Sequence, residues 1–170
     1  MQTRHTVIDS PLGELRVVAD GDTLTGLYFP HHWRGPAADA LGRYVEPGAD
    51  ALFGRAAEQL SQYLTGRRTR FDVPITLIGD PRQRRIWELL LEIGYGETTT
   101  YGELAATLAD GTTAYELGQA VGRNPLSIIV PCHRVVGKGG ALTGYAGGLK
   151  RKRFLLDLEA PVPAAAGRLF

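Results

Sequence analysis

Thr100-Tyr101-Gly102-Glu103-Leu104-Ala105-Ala106-Thr107-Leu108, followed across Asp110-Gly111-Thr112-Thr113 by Ala114-Tyr115-Glu116-Leu117-Gly118-Gln119-Ala120-Val121-Gly122, opens two helices in succession. Thr100 is a capping residue with Glu103 three positions on, the spacing at which each side chain satisfies the other's free backbone N–H. The first helix is expected to end near Asp110-Gly111. Thr112 or Thr113 caps a second, ending near Gly122-Arg123-Asn124. Two short helices joined by a tight, Gly-containing turn make a helix-turn-helix pattern.

Working outward, Asp80 can cap and Pro81 can open an earlier helix, expected to reach about Ile93 with Ile86, Trp87, Leu90 and Ile93 facing a core. Residues 51–64 repeat apolar side chains at helical spacing (Leu52, Phe53, Ala56, Ala57, Leu60, Tyr63, Leu64), and Gly66 stops them. Residues 71–78 predict a strand. Thr6-Val7-Ile8, residues 14–19 and residues 24–29 predict three strands of an antiparallel meander, turning at 10–13 and 19–22. Residues 30–48 read as mostly loop. Downstream come an apolar, β-branched segment at 126–130, Cys132-His133-Arg134-Val135-Val136, a Gly-rich loop at 137–148 and a last helix at 149–159. No internal repeat is present. The expected fold is α+β. A small N-terminal domain of sheet plus helix (1–78) packs on a mainly helical C-terminal domain (79–160) carrying the helix-turn-helix, and a Pro-rich tail (161–170) follows, expected to be loose.

The 170 residues are 44% hydrophobic and 22% charged, which excludes bulk disorder. Lys+Arg 19 against Asp+Glu 18 gives +1, so any nucleic-acid surface is a local patch and not a basic coat. The one cysteine excludes an internal disulfide and a Cys-rich zinc site, and fits a reducing cytosol. No apolar leader and no run near the ~20 residues of a membrane span is present, so a cytoplasmic protein without membrane contact is expected.

Cys132 is the first candidate for chemistry. A lone cysteine is commonly a buried packing residue. As a nucleophile it needs a base, because a free thiol is ionised only to a few per cent at neutral pH. His133 is adjacent, but neighbours on an extended strand point to opposite faces, so it serves Cys132 only through a sharp turn or a water. Glu159, Asp157 and Glu97 are candidate partners for that histidine, and spacing does not rank them. Lys150-Arg151-Lys152-Arg153, with Arg82, Arg84 and Arg85, reads either as a solvated face or as phosphate contacts. The loop at 137–148 lacks the order of a phosphate-binding loop; Tyr145 among its glycines can stack on a flat ligand. His31-His32 has no third ligand at matching spacing and reads as exposed loop histidines, so no metal is expected.

Ile129-Val130-Pro131-Cys132-His133-Arg134-Val135-Val136 resembles the acceptor-cysteine motif of the O6-alkylguanine-DNA alkyltransferases (methylated-DNA–protein cysteine methyltransferases). Tyr95-Gly96-Glu97-Thr98, Thr100-Tyr101-Gly102-Glu103-Leu104-Ala105, Asn124-Pro125, Thr143-Gly144-Tyr145-Ala146-Gly147-Gly148 and Leu155-Leu156-Asp157-Leu158-Glu159 match in the same order. The resemblance covers residues 79–159; the N-terminal half is similar only in pattern, including Ile8-Asp9-Ser10-Pro11-Leu12-Gly13.

The resemblance implies a suicide repair protein. An alkylated base is flipped out of duplex DNA, and the alkyl group passes irreversibly from O6 of guanine (or O4 of thymine) to Cys132, with no cofactor. It implies His133 as base through a water, Glu159 as its orienting acid, Asn124 as brace of the turn, and Tyr101 as hydrogen-bond partner of the base, assisted by Lys152. Val135, Tyr145 and Ala146 would line the base pocket. Thr113, Ala114, Tyr115, Glu116, Gly118, Gly122 and Arg123 would face the minor groove of double-stranded DNA. The protein would act as a monomer.

The sequence departs from the family's pattern where Tyr115 and Glu116 stand for an intercalating Arg and a small residue, and where Arg82 and Gly94 stand for Phe and Pro. These departures support an alternative expectation, an alkyltransferase-like protein with diverged DNA docking that acts on another substrate or as a lesion sensor.

Overall fold

The computed structural model describes residues 3–32 and 35–161; the expected tail therefore lies, beyond Pro161, outside the described residues. The N-terminal half is a four-stranded sheet, β1 (Thr3–Ile8), β2 (Leu15–Asp20), β3 (Thr23–Tyr28) and β4 (Arg43–Tyr44), followed by helix α1 (Ala51–Leu64). The strand order is β3-β2-β1-β4; β1, β2 and β3 pair antiparallel, and β4 pairs parallel with β1. The C-terminal half holds α2 (Pro81–Leu90), β5 (Thr99–Thr100), α3 (Tyr101–Leu108), α4 (Ala114–Gly122), β6 (Val135–Val136) and α5 (Leu149–Glu159), with β5 and β6 as a short parallel pair. The fold is α+β, as expected.

Local capping chemistry sets the helix starts. Thr100 with Glu103 and Thr113 with Glu116 form reciprocal capping boxes, and Asp80 does the same with Gln83. Asp50 accepts from the N–H groups of Leu52 and Phe53 at 3.0 and 3.1 Å while Arg4 pairs with it at 2.6 Å, so the cap of α1 is tied to β1. The helix-turn-helix closes where Ala109 takes a left-handed backbone, two residues before Gly111.

Two expectations need correction. Residues 71–78 do not form a strand. They touch β3 through one bridge, Leu24 N–H to Pro74 O and Thr76 N–H to Leu24 O, both 2.9 Å. The same edge of β3 also receives the C-terminal half, with Leu27 N–H donating to Pro125 O at 2.8 Å. Two segments share one edge, and Pro74 has no N–H to extend a ladder. The described part of residues 30–48 is mostly loop, as expected, with the short β4 beside β1; Gly42, at φ +68, permits this, since a Cβ there would sit 2.0 Å from Thr3 O. Finally, α2 ends at Leu90 and not at Ile93, and the freed Ile93 carbonyl accepts from Arg134 at 2.6 Å.

Apolar side chains from both halves form one contiguous core, from Leu15, Val17 and Leu27 through Phe53 and Leu60 to Trp87, Leu117, Leu126 and Val130. Trp87 is its largest fully buried side chain and donates to Ala120 O at 2.9 Å, which seats α4 on α2. Trp87→Ala is expected to cost about 3–5 kcal/mol of unfolding free energy in urea titrations; a loss under 1 kcal/mol would mean that α4 does not depend on this seat.

Candidate active site

Cys132 does not lie on an extended strand. A 3₁₀ turn at Cys132–Arg134 follows Pro131, and Cys132 N–H donates to Val130 O across Pro131 at 2.8 Å. Upstream, Ile128 has φ +73 and Ile129 N–H donates to Ser127 O at 2.8 Å, a tight turn that a β-branched residue rarely adopts. Such strain persists only where the surroundings over-determine it. Here Asn124 does so: its amide donates to Val130 O at 2.8 Å and its carbonyl accepts from Leu126 N–H at 2.9 Å. The Cys132 thiol is buried, and burial pushes its pKa above the ordinary thiol range, against smaller opposing effects of Asn124 and Lys152. A thiol of that kind needs a base.

His133 is fully buried, with Nε2 2.9 Å from Glu159 Oε2 and Nδ1 without a protein partner among the described residues. Of the three acids that spacing left open, the structure pairs this histidine with Glu159. Arg134 donates Nε to Oε1 and Nη2 to Oε2 of the same carboxylate, each at 2.8 Å, and Tyr63 on α1 donates its hydroxyl to Oε2. Burial raises the pKa of Glu159, but hydrogen bonds from His133 and Arg134 outweigh it and hold the carboxyl well below the usual range. Burial lowers that of His133, against the pull of Glu159, with Arg134 and Lys152 acting in the same sense as burial. The resting state is a neutral imidazole beside a charge-balanced ion pair.

A cavity of about 30 Å³, room for about one water, touches Cys132 and is lined also by Tyr101, Asn124, Ser127 and Tyr145. It adjoins a groove of about 620 Å³ along α4, lined by Tyr101, Ala114, Tyr115, Gly118, Tyr145 and Ala146. Tyr101 Oη lies 3.1 Å from Thr143 Oγ1, and the buried Lys152 ammonium donates to Thr143 O at 3.1 Å. Burial brings the pKa of Lys152 down to about 8. Val135 is buried in β6, immediately after the Cys132 turn. The Tyr145 ring packs against Phe29 of the N-terminal half at 5.7 Å; beside it, a Cβ on Gly147 would lie 2.4 Å from the Phe29 ring.

On α4, Thr113, Ala114, Tyr115, Glu116 and Arg123 are exposed, whereas Gly118 and Gly122 line the groove. Tyr115 is 75% exposed. Glu116 turns back: it accepts from Thr113 N–H and Oγ1 at 3.0 and 3.1 Å and lies 3.5 Å from Arg82, which also donates to Thr112 Oγ1 at 2.7 Å. The two unusual residues, Arg82 and Glu116, therefore compensate each other. In the N-terminal half, His31 is exposed, but His32 is not: it stacks on Phe29 at 6.0 Å, and burial lowers its pKa to about 4.

Sequence reasoning missed two parts of the site. Arg134 stands inside the Pro-Cys-His-Arg run, yet nothing local marks it as the counter-charge of Glu159. Tyr63 reads as one more core position of α1. Glu159→Gln is expected to cost about 3–5 kcal/mol at pH 7, because Arg134 is left buried without its counter-charge. A carboxyl depressed in the folded state contributes stability that is present above the unfolded range near pH ~4.3 and is lost as pH falls through and below it. Urea unfolding between pH 7 and pH 3 is therefore expected to show a steeper acid loss for the wild type than for Glu159→Gln; equal slopes would remove Glu159 as the acid-sensitive group.

Residues 3–77 match the ribonuclease-like domain of 6-O-methylguanine DNA methyltransferase, and residues 81–161 match its DNA binding domain. The methylated-DNA–protein-cysteine methyltransferase of Mycobacterium tuberculosis is 44% identical over 163 residues, with 91% of each chain covered. The constitutive one of Bacillus subtilis is 36% identical over 160 residues, covering 91% of this chain and 94% of the relative. The crystal structure of the M. tuberculosis O6-methylguanine methyltransferase aligns with a TM-score of 0.83 at 41% identity, covering 96% of this chain and 98% of that one. The M. tuberculosis OGT in complex with DNA aligns with a TM-score of 0.83 at 43% identity, covering 93% and 95%. Both halves match in order and nearly end to end, and by that match the chain belongs to the methylated-DNA–protein-cysteine methyltransferase family.

Proposed function

We propose that this protein repairs DNA by direct reversal of alkylation, moving the alkyl group from O6 of guanine, or O4 of thymine, to Cys132 in a single irreversible event. The observation that carries the reading is the placement of a buried thiol at the closed end of a cavity that opens beneath α4, next to a neutral histidine whose Nδ1 is bare. The thiol proton passes through a water to His133 Nδ1, and Glu159 steadies the imidazolium. Sγ attacks the alkyl carbon, the C–S bond forms as the C–O6 bond breaks, and the departing guanine takes a proton with the help of Tyr101. Asn124 braces the turn, and Lys152 holds the loop at Thr143. Val135, Tyr145 and Ala146 wall the base pocket. A thioether offers no leaving step, so each molecule acts once, as a monomer and without a cofactor.

The partner is double-stranded DNA carrying the alkylated base. In this reading α4 enters the minor groove, where Gly118 and Gly122 allow close approach while Thr113, Ala114 and Arg123 meet the backbone. Tyr115 takes the place of the flipped base by stacking. Glu116, neutralised by Arg82 and turned onto its own cap, does not obstruct this, so the alternative of diverged docking loses its main support. The chain divides into units 1–78 and 79–160, and a free thiol suits a reducing, cytoplasmic compartment.

Peptide mass spectrometry after mixing with duplex DNA that contains O6-methylguanine is expected to find one methyl on the Cys132 peptide and restored guanine. Cys132→Ala is expected to abolish transfer and keep salt-dependent DNA binding; surviving transfer would overturn the acceptor assignment. Tyr115→Ala is expected to slow repair in duplex DNA about ten- to hundredfold through lost stacking, with transfer from free O6-benzylguanine unchanged. An equal loss on both substrates would place Tyr115 outside the DNA contact.

A further inference from the structure

One side chain of the N-terminal half reaches the reacting groups. Tyr63, in the last turn of α1, is 1% exposed. Its hydroxyl donates to Glu159 Oε2 and lies 3.4 Å from His133 Nε2, which is itself 2.9 Å from the same Oε2. The three polar atoms close a ring. With Glu159 held as a carboxylate by Arg134, one proton arrangement satisfies all of them: Tyr63 O–H points to the carboxylate, and His133 Nε2–H points to Oε2 with the Tyr63 oxygen as a second acceptor. A proton on Nε2 leaves Nδ1 bare. Packing does not require the hydroxyl. The Tyr63 ring lies against Phe71 at 5.1 Å and Tyr95 at 6.1 Å, contacts that a phenyl group makes equally well, whereas a buried hydroxyl is unfavourable unless it is hydrogen-bonded.

We propose that Tyr63 is a positioning residue for the reaction: by donating to Glu159 from α1 it tempers the carboxylate's hold on the imidazolium, so that His133, set in the Nε2–H tautomer by Glu159, keeps its Nδ1 free to accept the proton of Cys132. The inference rests on the reading of His133 as the base of alkyl transfer. The charged and titratable groups around His133 are Glu159 and Lys152 on α5, Arg134 on its own turn and Tyr63 on α1; Tyr95, on the loop after α2, packs against the Tyr63 ring and donates its hydroxyl to Leu158 O at 3.2 Å. Arg134 balances the Glu159 charge, and Tyr63 adds a neutral donor to the oxygen that His133 uses. Without that donor the carboxylate holds an imidazolium more firmly. His133 then becomes protonated at Nδ1 at higher pH and is lost as a base.

The test is a pH series of histidine-ring ¹⁵N NMR spectra on the full chain, run beside the rate of benzyl transfer from O6-benzylguanine to Cys132. In the wild type His133 is expected as the Nε2–H tautomer. Tyr63→Phe is expected to raise the His133 midpoint by about half a pH unit, the worth of one neutral hydrogen bond. The acid limb of the transfer rate is expected to move with it while the plateau stays within about twofold. Tyr95→Phe is expected to move neither. Tyr63→3-fluorotyrosine, a stronger donor of the same shape, is expected to move the midpoint down, and it serves as the test should Tyr63→Phe not fold. An unmoved midpoint, or a rate lowered equally at every pH, overturns the proposal while wild-type transfer upholds the repair reading. A moved midpoint in a protein whose wild type alkylates from neither DNA nor O6-benzylguanine upholds the hydrogen-bond role and overturns the repair reading.

Discussion

A carboxylate taken out of water is tolerated only when donors replace the solvent and a cation balances the charge. Glu159 is 3% exposed and receives both. Arg134 grips it at two points, His133 and Tyr63 share one oxygen, and the arrangement draws together α1, the Cys132 turn and the end of α5. The proposed chemistry depends on that balance. Glu159 without Arg134 would hold His133 as an imidazolium, and a histidine already protonated cannot take a proton from a thiol. A buried ion pair contributes little net stability; here its consequence is the protonation state of the side chain next to Cys132.

The thiol is placed by backbone rather than by side-chain packing. Leu27 and Leu126 join the sheet edge to the segment before Cys132, Ile128 takes a backbone that β-branched residues avoid, and Asn124 holds both ends of the turn. The outcome is a cysteine that is buried yet at the wall of a cavity. In the proposed reaction a thiol so enclosed waits for a substrate that brings its alkyl carbon into the cavity. The N-terminal half thus contributes a sheet edge, the Phe29 ring against the loop at 144–148, and the Tyr63 hydroxyl, although none of its described residues lines the cavity against Cys132.

The face that carries the groove is set by α4. Its inner side, Leu117, Ala120 and Val121, is buried, and Trp87 fixes its height on α2. Its outer side offers a protruding Tyr115 beside two glycines that open the groove. Arg82 and Glu116 look like two separate departures from the family's pattern when read along the chain. In space they are one half-exposed ion pair that also closes the cap of α4, so the carboxylate is engaged at the start of its own helix.

Much of this protein is determined by interactions spanning four residues or fewer, and these are legible in the sequence by itself. Thr100 with Glu103, Thr113 with Glu116, and the apolar spacing of 51–64 and 81–90 set four helices to within a few residues, because capping and periodicity are local. Cys132, His133 and Glu159 are legible through their motif. What the tertiary structure decided involves partners far apart in the chain. The 71–78 segment loses its strand because β3 has one free edge and two claimants. The Cys132 turn closes because Asn124 and the sheet edge hold it against its own preference. Tyr63 lies 70 residues before His133 and 96 before Glu159, and no local pattern relates them. A buried charge gathers its donors from wherever the fold brings them, and which ones arrive is settled by packing, not by neighbours along the chain.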